Sequence, residues 1–296
     1  MAIALKPIHQ QVMVITGASS GIGLCTALLA AEKGARVVLA ARSAGTLDAV
    51  VAQIRAAGGQ AMAVPTDVGD RKQLEALAEA AIEHFGRIDT WVNDAGVAIY
   101  GRLDEVGEAD SRRLFDTNFW GVVNGSLVAL PHLRTSRGAL VNIGSEVSDT
   151  VLPYQGMYSA SKHAVKGFTD ALRIELEQLD QAPVSITLIQ PTAVNTPYPE
   201  HARNYMAREP KLPTPMIDPH RVAEAILEAA TEGGRDVKVG AMAHLNTTMA
   251  KLLPSLGDRM AAMQAHRQQR DTPARSPEGA LFRPGGGGRV YGHAPR

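Results

Sequence analysis

Apolar residues in this chain fall into short unbroken runs, separated by longer stretches where they recur every three or four positions. The runs at Val12 to Thr16, Arg36 to Ala41, Ala61 to Pro65, Ile88 to Val92, Ala139 to Ile143, Val184 to Ile189 and Val237 to Gly240 are too short for helices and are read as strands. Helical spacing fills the intervals, at about 24–33, 44–57, 70–85, 110–130 and 219–231, and Gly34, Gly58 and Gly86 close three of these helices. Strands alternating with helices predict an α/β fold: one doubly wound parallel sheet with helices on both faces. Residues 1–250 form that domain. Residues 251–296 are a C-terminal extension, in which helical pattern (243–253 and 255–269) gives way after Asp271 to a Gly-, Pro- and Arg-rich tail containing Gly285 to Gly288. Such a tail is ordered only if it docks, and one reading packs it on a neighbouring subunit.

Composition narrows the partners. Of 296 residues 45% are hydrophobic, enough for one large core, and 30 basic residues balance 30 acidic ones. No basic excess recruits nucleic acid or an anionic membrane, and no apolar run reaches the ~20 residues of a membrane span, so neither partner is expected. The single Cys25 forms no internal disulfide and sits in an apolar helical pattern, which fits a buried side chain and a cytoplasmic protein. No metal site is expected.

The chemistry clusters where strands end. After the first strand, Gly17-Ala18-Ser19-Ser20-Gly21-Ile22-Gly23 opens a helix. Glycines let backbone approach a pyrophosphate, and the helix N-terminus supplies free N–H groups and the positive dipole end, so the turn is read as dinucleotide-binding. The second strand ends in Ala41 and Arg42. Without a carboxylate to hold the ribose hydroxyls of NAD, and with a guanidinium for a 2′-phosphate, the cofactor is read as NADP(H). Asp67, before Val68, is either an acceptor for an adenine amino group or a turn residue, and spacing leaves both open. Asn93-Asp94-Ala95-Gly96 leaves the fourth strand with residues small enough for close cofactor approach. Asn118 interrupts an apolar helix face, as a satisfied core amide or as part of a proton path.

Tyr158 and Lys162 lie four residues apart, on one face of a helix. A cation beside a phenol favours the phenolate, so Lys162 is expected to draw the Tyr158 pKa down toward neutrality. Ser145 follows an apolar strand and is delivered at its end. Glu146 is expected to be solvated rather than to attract a cationic substrate, since adjacent strand-end side chains point opposite ways. Val97, Ile99, Leu152, Tyr154 and Tyr198 are read as lining an apolar substrate pocket. Between Pro197 and Pro219 lie six prolines and no glycine, a composition for broken helices that close over a substrate.

From about Gln11 to Gly240 the chain resembles the short-chain dehydrogenase/reductase family, with a Rossmann-like fold. Thr16-Gly17-x-x-x-Gly21-x-Gly23 resembles the family's cofactor turn, Asn93-Asp94-Ala95-Gly96 its Asn-Asn-Ala-Gly segment, and Asn118, Ser145, Tyr158 and Lys162 its catalytic tetrad. The resemblance implies reversible hydride transfer between NADP(H) and a carbonyl or secondary alcohol. Tyr158 is then acid/base and Ser145 holds the substrate oxygen. Lys162 binds the nicotinamide ribose and lowers the tyrosine pKa, and Asn118 supports a water in a proton relay. By the same likeness Pro191, Thr192, Val194 and Thr196, beyond the sixth strand, contact the cofactor, and the protein is a homodimer or homotetramer. Asp94 stands where the family has Asn, Thr192 where it has Gly, and Ser20 is not basic as in some NADP-preferring members. The rival reading is a sensor or scaffold that binds NADPH without turnover.

Overall fold

The structure is a computed structural model and describes residues 3–292. Among these, seven strands, β1 (Val12–Thr16), β2 (Arg36–Ala41), β3 (Gln60–Pro65), β4 (Thr90–Asn93), β5 (Ala139–Ile143), β6 (Ser185–Pro191) and β7 (Asp236–Val239), form one parallel sheet in the order 3-2-1-4-5-6-7. The chain direction of growth reverses beside β1, which pairs with both β2 and β4, and the crevice beyond the strand ends at this switch is where ligands of such sheets bind.

Strand side chains alternate between two cores. Met13 and Ile15 of β1 face α1 (Gly21–Glu32), α2 (Ala44–Ala56) and a helix near the C-terminal end of the domain through Leu24, Leu47 and Ile226. Val12 and Val14 join the other core, with Leu74 and Leu77 of α3 (Arg71–Phe85). With all five β1 residues buried, each large apolar side chain contributes about 1.5–3 kcal/mol.

The helix expected over 110–130 is three segments: α4 (Glu108–Phe115), a π-helical turn at Asp116–Trp120 carrying Asn118, and α5 (Gly121–Ser136). Helix α5 runs through Pro131 instead of stopping before it. The proline lies on the exposed side, where water satisfies the carbonyl it leaves free, while Leu130 and Leu133 stay buried on the sheet side and offset the ~3 kcal/mol cost. Next come α6 (Gly156–Arg173) and α7 (Pro219–Glu232), the helix that carries Ile226.

In the proline-rich stretch, one helical turn at Tyr198–His201 is followed by two short strand segments, Arg203–Asn204 and Arg208–Pro210. The first pairs with Ile99–Tyr100, and the second runs antiparallel to Gln269–Pro273 of the extension. Helices α8 (Ala241–Leu252) and α9 (Pro254–Ala265) precede that strand. Helix was expected through Gln269, but pairing of Gln269 with Pro210 takes over the backbone there. No helix among the described residues is long and apolar enough to cross a membrane.

Candidate active site

The turn after β1 is shaped by two glycines. Gly17 has φ +73°, and a Cβ there would stand 2.9 Å from the Ala95 backbone; a Cβ on Gly23 would stand 2.6 Å from the Gly17 carbonyl oxygen. Thr16 ties this turn to the one after β4, since its hydroxyl accepts from the N–H groups of Asp94 (3.1 Å) and Ala95 (3.2 Å). Gly17, Ser19, Ser20, Gly21 and Ile22 line one wall of a cleft over the strand ends. Ala95 and Gly96 continue it. Val68, Asp67 and Arg42 line the cleft beyond β2 and β3, and Pro191, Thr192, Val194 and Thr196 line it at the end of β6 and beyond. Of the residues expected at the cofactor, Gly23 and Asn93 stand behind the wall. The Asn93 side chain belongs to the core: it donates to Asn142 (2.8 Å) and Ser126 (3.1 Å) and accepts from the Trp91 indole (2.8 Å).

Helix α6 places Tyr158 and Lys162 on its cleft-facing side, and Ser145, two residues beyond the end of β5, lines the same cleft. Ser145 caps a short 3-10 turn. Its Oγ accepts from Val147 N–H (3.3 Å) and Ser148 Oγ accepts from Ser145 N–H (3.2 Å), which leaves the Ser145 hydroxyl proton free to donate. The Tyr158 hydroxyl is hydrogen-bonded to Ser145 and to Tyr198. Lys162 Nζ donates to the Ile143 carbonyl at 2.7 Å and lies 5.7 Å from the Tyr158 ring centroid.

Electrostatics depart from expectation here. Burial pushes the Tyr158 pKa up to about 12, against its interactions with Tyr198 and Ser145, with Asp94 and Glu146 adding to the rise. Burial also lowers the Lys162 ammonium to about 8, opposed by the charge of Asp94, so desolvation is the largest influence on both groups. Asp94 is the partner the sequence left unread. Burial raises its carboxyl to about 7, opposed by the charge of Lys162 and by a hydrogen bond from Gly23 N–H. Since the folded pKa is raised, the penalty is absent below about pH 4 and complete above about pH 7. Asp94→Asn is therefore expected to raise the thermal midpoint by a few degrees at pH 8, about 1–2 kcal/mol after discounting for screening, and to leave it unchanged at pH 4. Thermal scans at the two pH values check this.

One further expectation resolves differently, and two open readings gain contacts. Glu146 is buried, not solvated: its Oε2 accepts from Thr192 Oγ1 (3.0 Å) and from Asn246 Nδ2 of α8 (3.0 Å), and burial raises its pKa. The 3-10 turn, not strand alternation, sets its direction, and Thr192 gains a purpose that a glycine lacks. Asp67 lines the cleft and has the contacts of a turn residue, accepting from Gly69 N–H (3.0 Å) and pairing with Arg113 (2.5 Å). Asn118 is a satisfied buried amide, accepting from Val97 N–H (2.8 Å) and donating to Val97 O (2.9 Å) and Ser161 Oγ (3.2 Å). Val97, Leu152 and Tyr198 line the cleft, whereas Ile99 packs in a core with Leu114 and Leu281, and Tyr154 lies outside the lining.

The tail docks on its own chain. Arg42 donates to the carbonyls of Ala280 (2.5 Å), Leu281 (3.1 Å) and Arg283 (3.4 Å), Leu281 is fully buried, and Pro284, Gly285 and Gly286 line the cleft. Farther on, Gly288 N–H donates to Ser19 O (2.8 Å) and Gly21 N–H to Arg289 O (3.0 Å). No periodicity signals such a strap, because backbone carbonyls and glycines make most of its contacts.

Residues 11–206 match the family model for short chain dehydrogenase. An uncharacterized oxidoreductase of Bacillus subtilis, YxnA, is 44% identical over 96% of this chain and 81% of its own length; the oxidoreductase SadH of Mycobacterium tuberculosis is 34% identical over 85% and 94%. Among solved structures, a short-chain dehydrogenase/reductase from Burkholderia phymatum in complex with NAD superposes with TM-score 0.70 at 30% identity, covering 90% of this chain and 98% of that one. An alcohol dehydrogenase from Thermococcus sibiricus complexed with 5-hydroxy-NADP gives TM-score 0.68 at 26% identity, covering 77% and 94%. With its parallel sheet, its glycine turn and a matched segment running through Ser145, Tyr158 and Lys162, the chain belongs to the short-chain dehydrogenase/reductase family of oxidoreductases.

Proposed function

We propose that this protein is an NADP(H)-dependent oxidoreductase that transfers a hydride between the nicotinamide and a carbonyl or secondary alcohol, with Tyr158 as general acid/base. The observation that carries the reading is the convergence of Tyr158 and Ser145 on one cleft with a buried Lys162 between helix α6 and the Ile143 carbonyl. The residues fit the dinucleotide: Gly17, Gly21 and Ile22 line the cleft at the N-terminal end of α1, where glycine lets backbone come close to a pyrophosphate. When bound, the nicotinamide supplies or takes the hydride. Ser145 and Tyr158 donate to the substrate oxygen and stabilise negative charge developing there, and Tyr158 delivers the proton. Lys162 spends one N–H on Ile143 and keeps two for the ribose. Asn118 holds the backbone of Val97 at the cleft wall. A panel of ketones with NADPH tests the activity, and absence of turnover across it would favour a binding protein.

For the cofactor choice, Arg42 brings a guanidinium to the adenosine-side end of the cleft and Ala41 brings no carboxylate. Because Arg42 also holds the tail, Arg42→Ala is expected to weaken NADPH and NADH together through the tail, and NADPH about tenfold more through the lost phosphate contact. Binding titrations with both nucleotides check this, and equal weakening would refute the preference. Trp120, Leu127, Ile174 and Leu179 are exposed apolar residues, which supports a homodimer or homotetramer testable by solution mass measurement.

A further inference from the structure

Four polar groups run from the Tyr158 hydroxyl to the C-terminal extension, and one end assigns every proton along the way. The Pro153 carbonyl can only accept, so the Gln268 group 2.9 Å from it is the amide nitrogen. That turns Gln268 Oε1 toward Gln155, whose Nε2 donates to it at 2.7 Å. Gln155 Oε1 then faces Tyr198, whose hydroxyl donates to it at 3.1 Å. Gln155 is 2% exposed and Gln268 0%, so water replaces none of these bonds. Tyr198 in turn meets Tyr158, ring edge to ring face with centroids 5.4 Å apart and hydroxyls hydrogen-bonded.

With its only proton directed at Gln155, the Tyr198 oxygen offers a lone pair to the Tyr158 O–H. The balance changes once Tyr158 has given its proton to the substrate oxygen. A phenolate is a stronger acceptor than an amide oxygen, and the Tyr198 hydroxyl can rotate to it without losing its own proton. Lys162 gives one of its N–H groups to the Ile143 carbonyl, and its ammonium lies 5.7 Å from the Tyr158 ring centroid.

We propose that Tyr198 is a positioning residue of the reaction, orienting the Tyr158 hydroxyl while protonated and donating to the phenolate afterwards, and that the C-terminal extension takes part through Gln268, which holds Gln155 in register. The inference rests on Tyr158 being the acid/base.

Tyr198→Phe, Gln155→Met and Gln268→Met test it in the full-length protein. Two readouts are needed: the pH dependence of alcohol oxidation, and ultraviolet titration of tyrosinate, taken as the difference from Tyr158→Phe. Tyr198→Phe is expected to move both midpoints up by about one unit, slowing oxidation about tenfold below the midpoint, with KM and NADPH affinity near wild type. Gln155→Met and Gln268→Met are expected to shift them the same way by a smaller amount, and they carry the test alone if Tyr198→Phe does not fold. Lower thermal stability with unmoved midpoints would overturn the proposal and leave the chain a structural contact. An active Tyr158→Phe would instead sink the underlying assignment, so the two failures are told apart.

Discussion

Tyr158→Phe is expected to lower turnover by about 10³-fold or more in either direction while NADPH binds as in the wild type. General acid catalysis contributes about 10²–10⁴-fold, and Tyr158 shares the cleft with Ser145. At about 1.4 kcal/mol per tenfold, the loss corresponds to roughly 4 kcal/mol of transition-state stabilisation. Phenylalanine keeps the ring and its edge-to-face contact with Tyr198, so packing on Met157 and Tyr198 survives. Steady-state kinetics beside a nucleotide titration separate the two effects. Retained turnover would remove Tyr158 from the chemistry.

Truncation after Gly279 is the second large effect. It strips Arg42 of its three carbonyl partners, exposes the core around Leu281 and removes Pro284 to Gly286 from the cleft wall. Burial of Leu281 alone is worth about 1.5–3 kcal/mol to the docked tail. A cleft opened on that side is expected to bind NADPH and NADH each about tenfold more weakly, about 1.4 kcal/mol, mainly through faster release. Proportional weakening of both nucleotides distinguishes this from the Arg42 phosphate contact. Tighter binding by the truncated protein would mean that the Arg289 carbonyl competes with the dinucleotide for Gly21 N–H.

Much of the catalytic arrangement was legible because it depends on local spacing. Four residues along a helix bring Tyr158 and Lys162 to one face in any α-helix, and a strand that runs into glycine and serine at a parallel sheet's end delivers a hydroxyl to the crevice. Glu146 shows where such reasoning stops. Its direction was inferred from strand alternation, yet a capped 3-10 turn begins at that residue and swings the carboxylate onto Thr192 and Asn246, the latter 100 positions away. Asp67 and Asn118 were open choices for the same reason: Arg113 and the Val97 backbone come to them only through folding.

The alternation of apolar runs with helical spacing, the glycine turn and the order of the strand-end residues were decided by the sequence itself, since strand and helix periodicities act over a few residues and parallel pairing leaves few topologies. Tertiary structure alone decided how charge is balanced around Tyr158 and what the last forty residues do. Desolvation depends on everything packed about a group, so burial, not the adjacent lysine, governs the phenol. The strap over Arg42 and the Gln268 link to Tyr198 join positions far apart in the chain through backbone carbonyls and amides, groups whose partners no residue pattern announces.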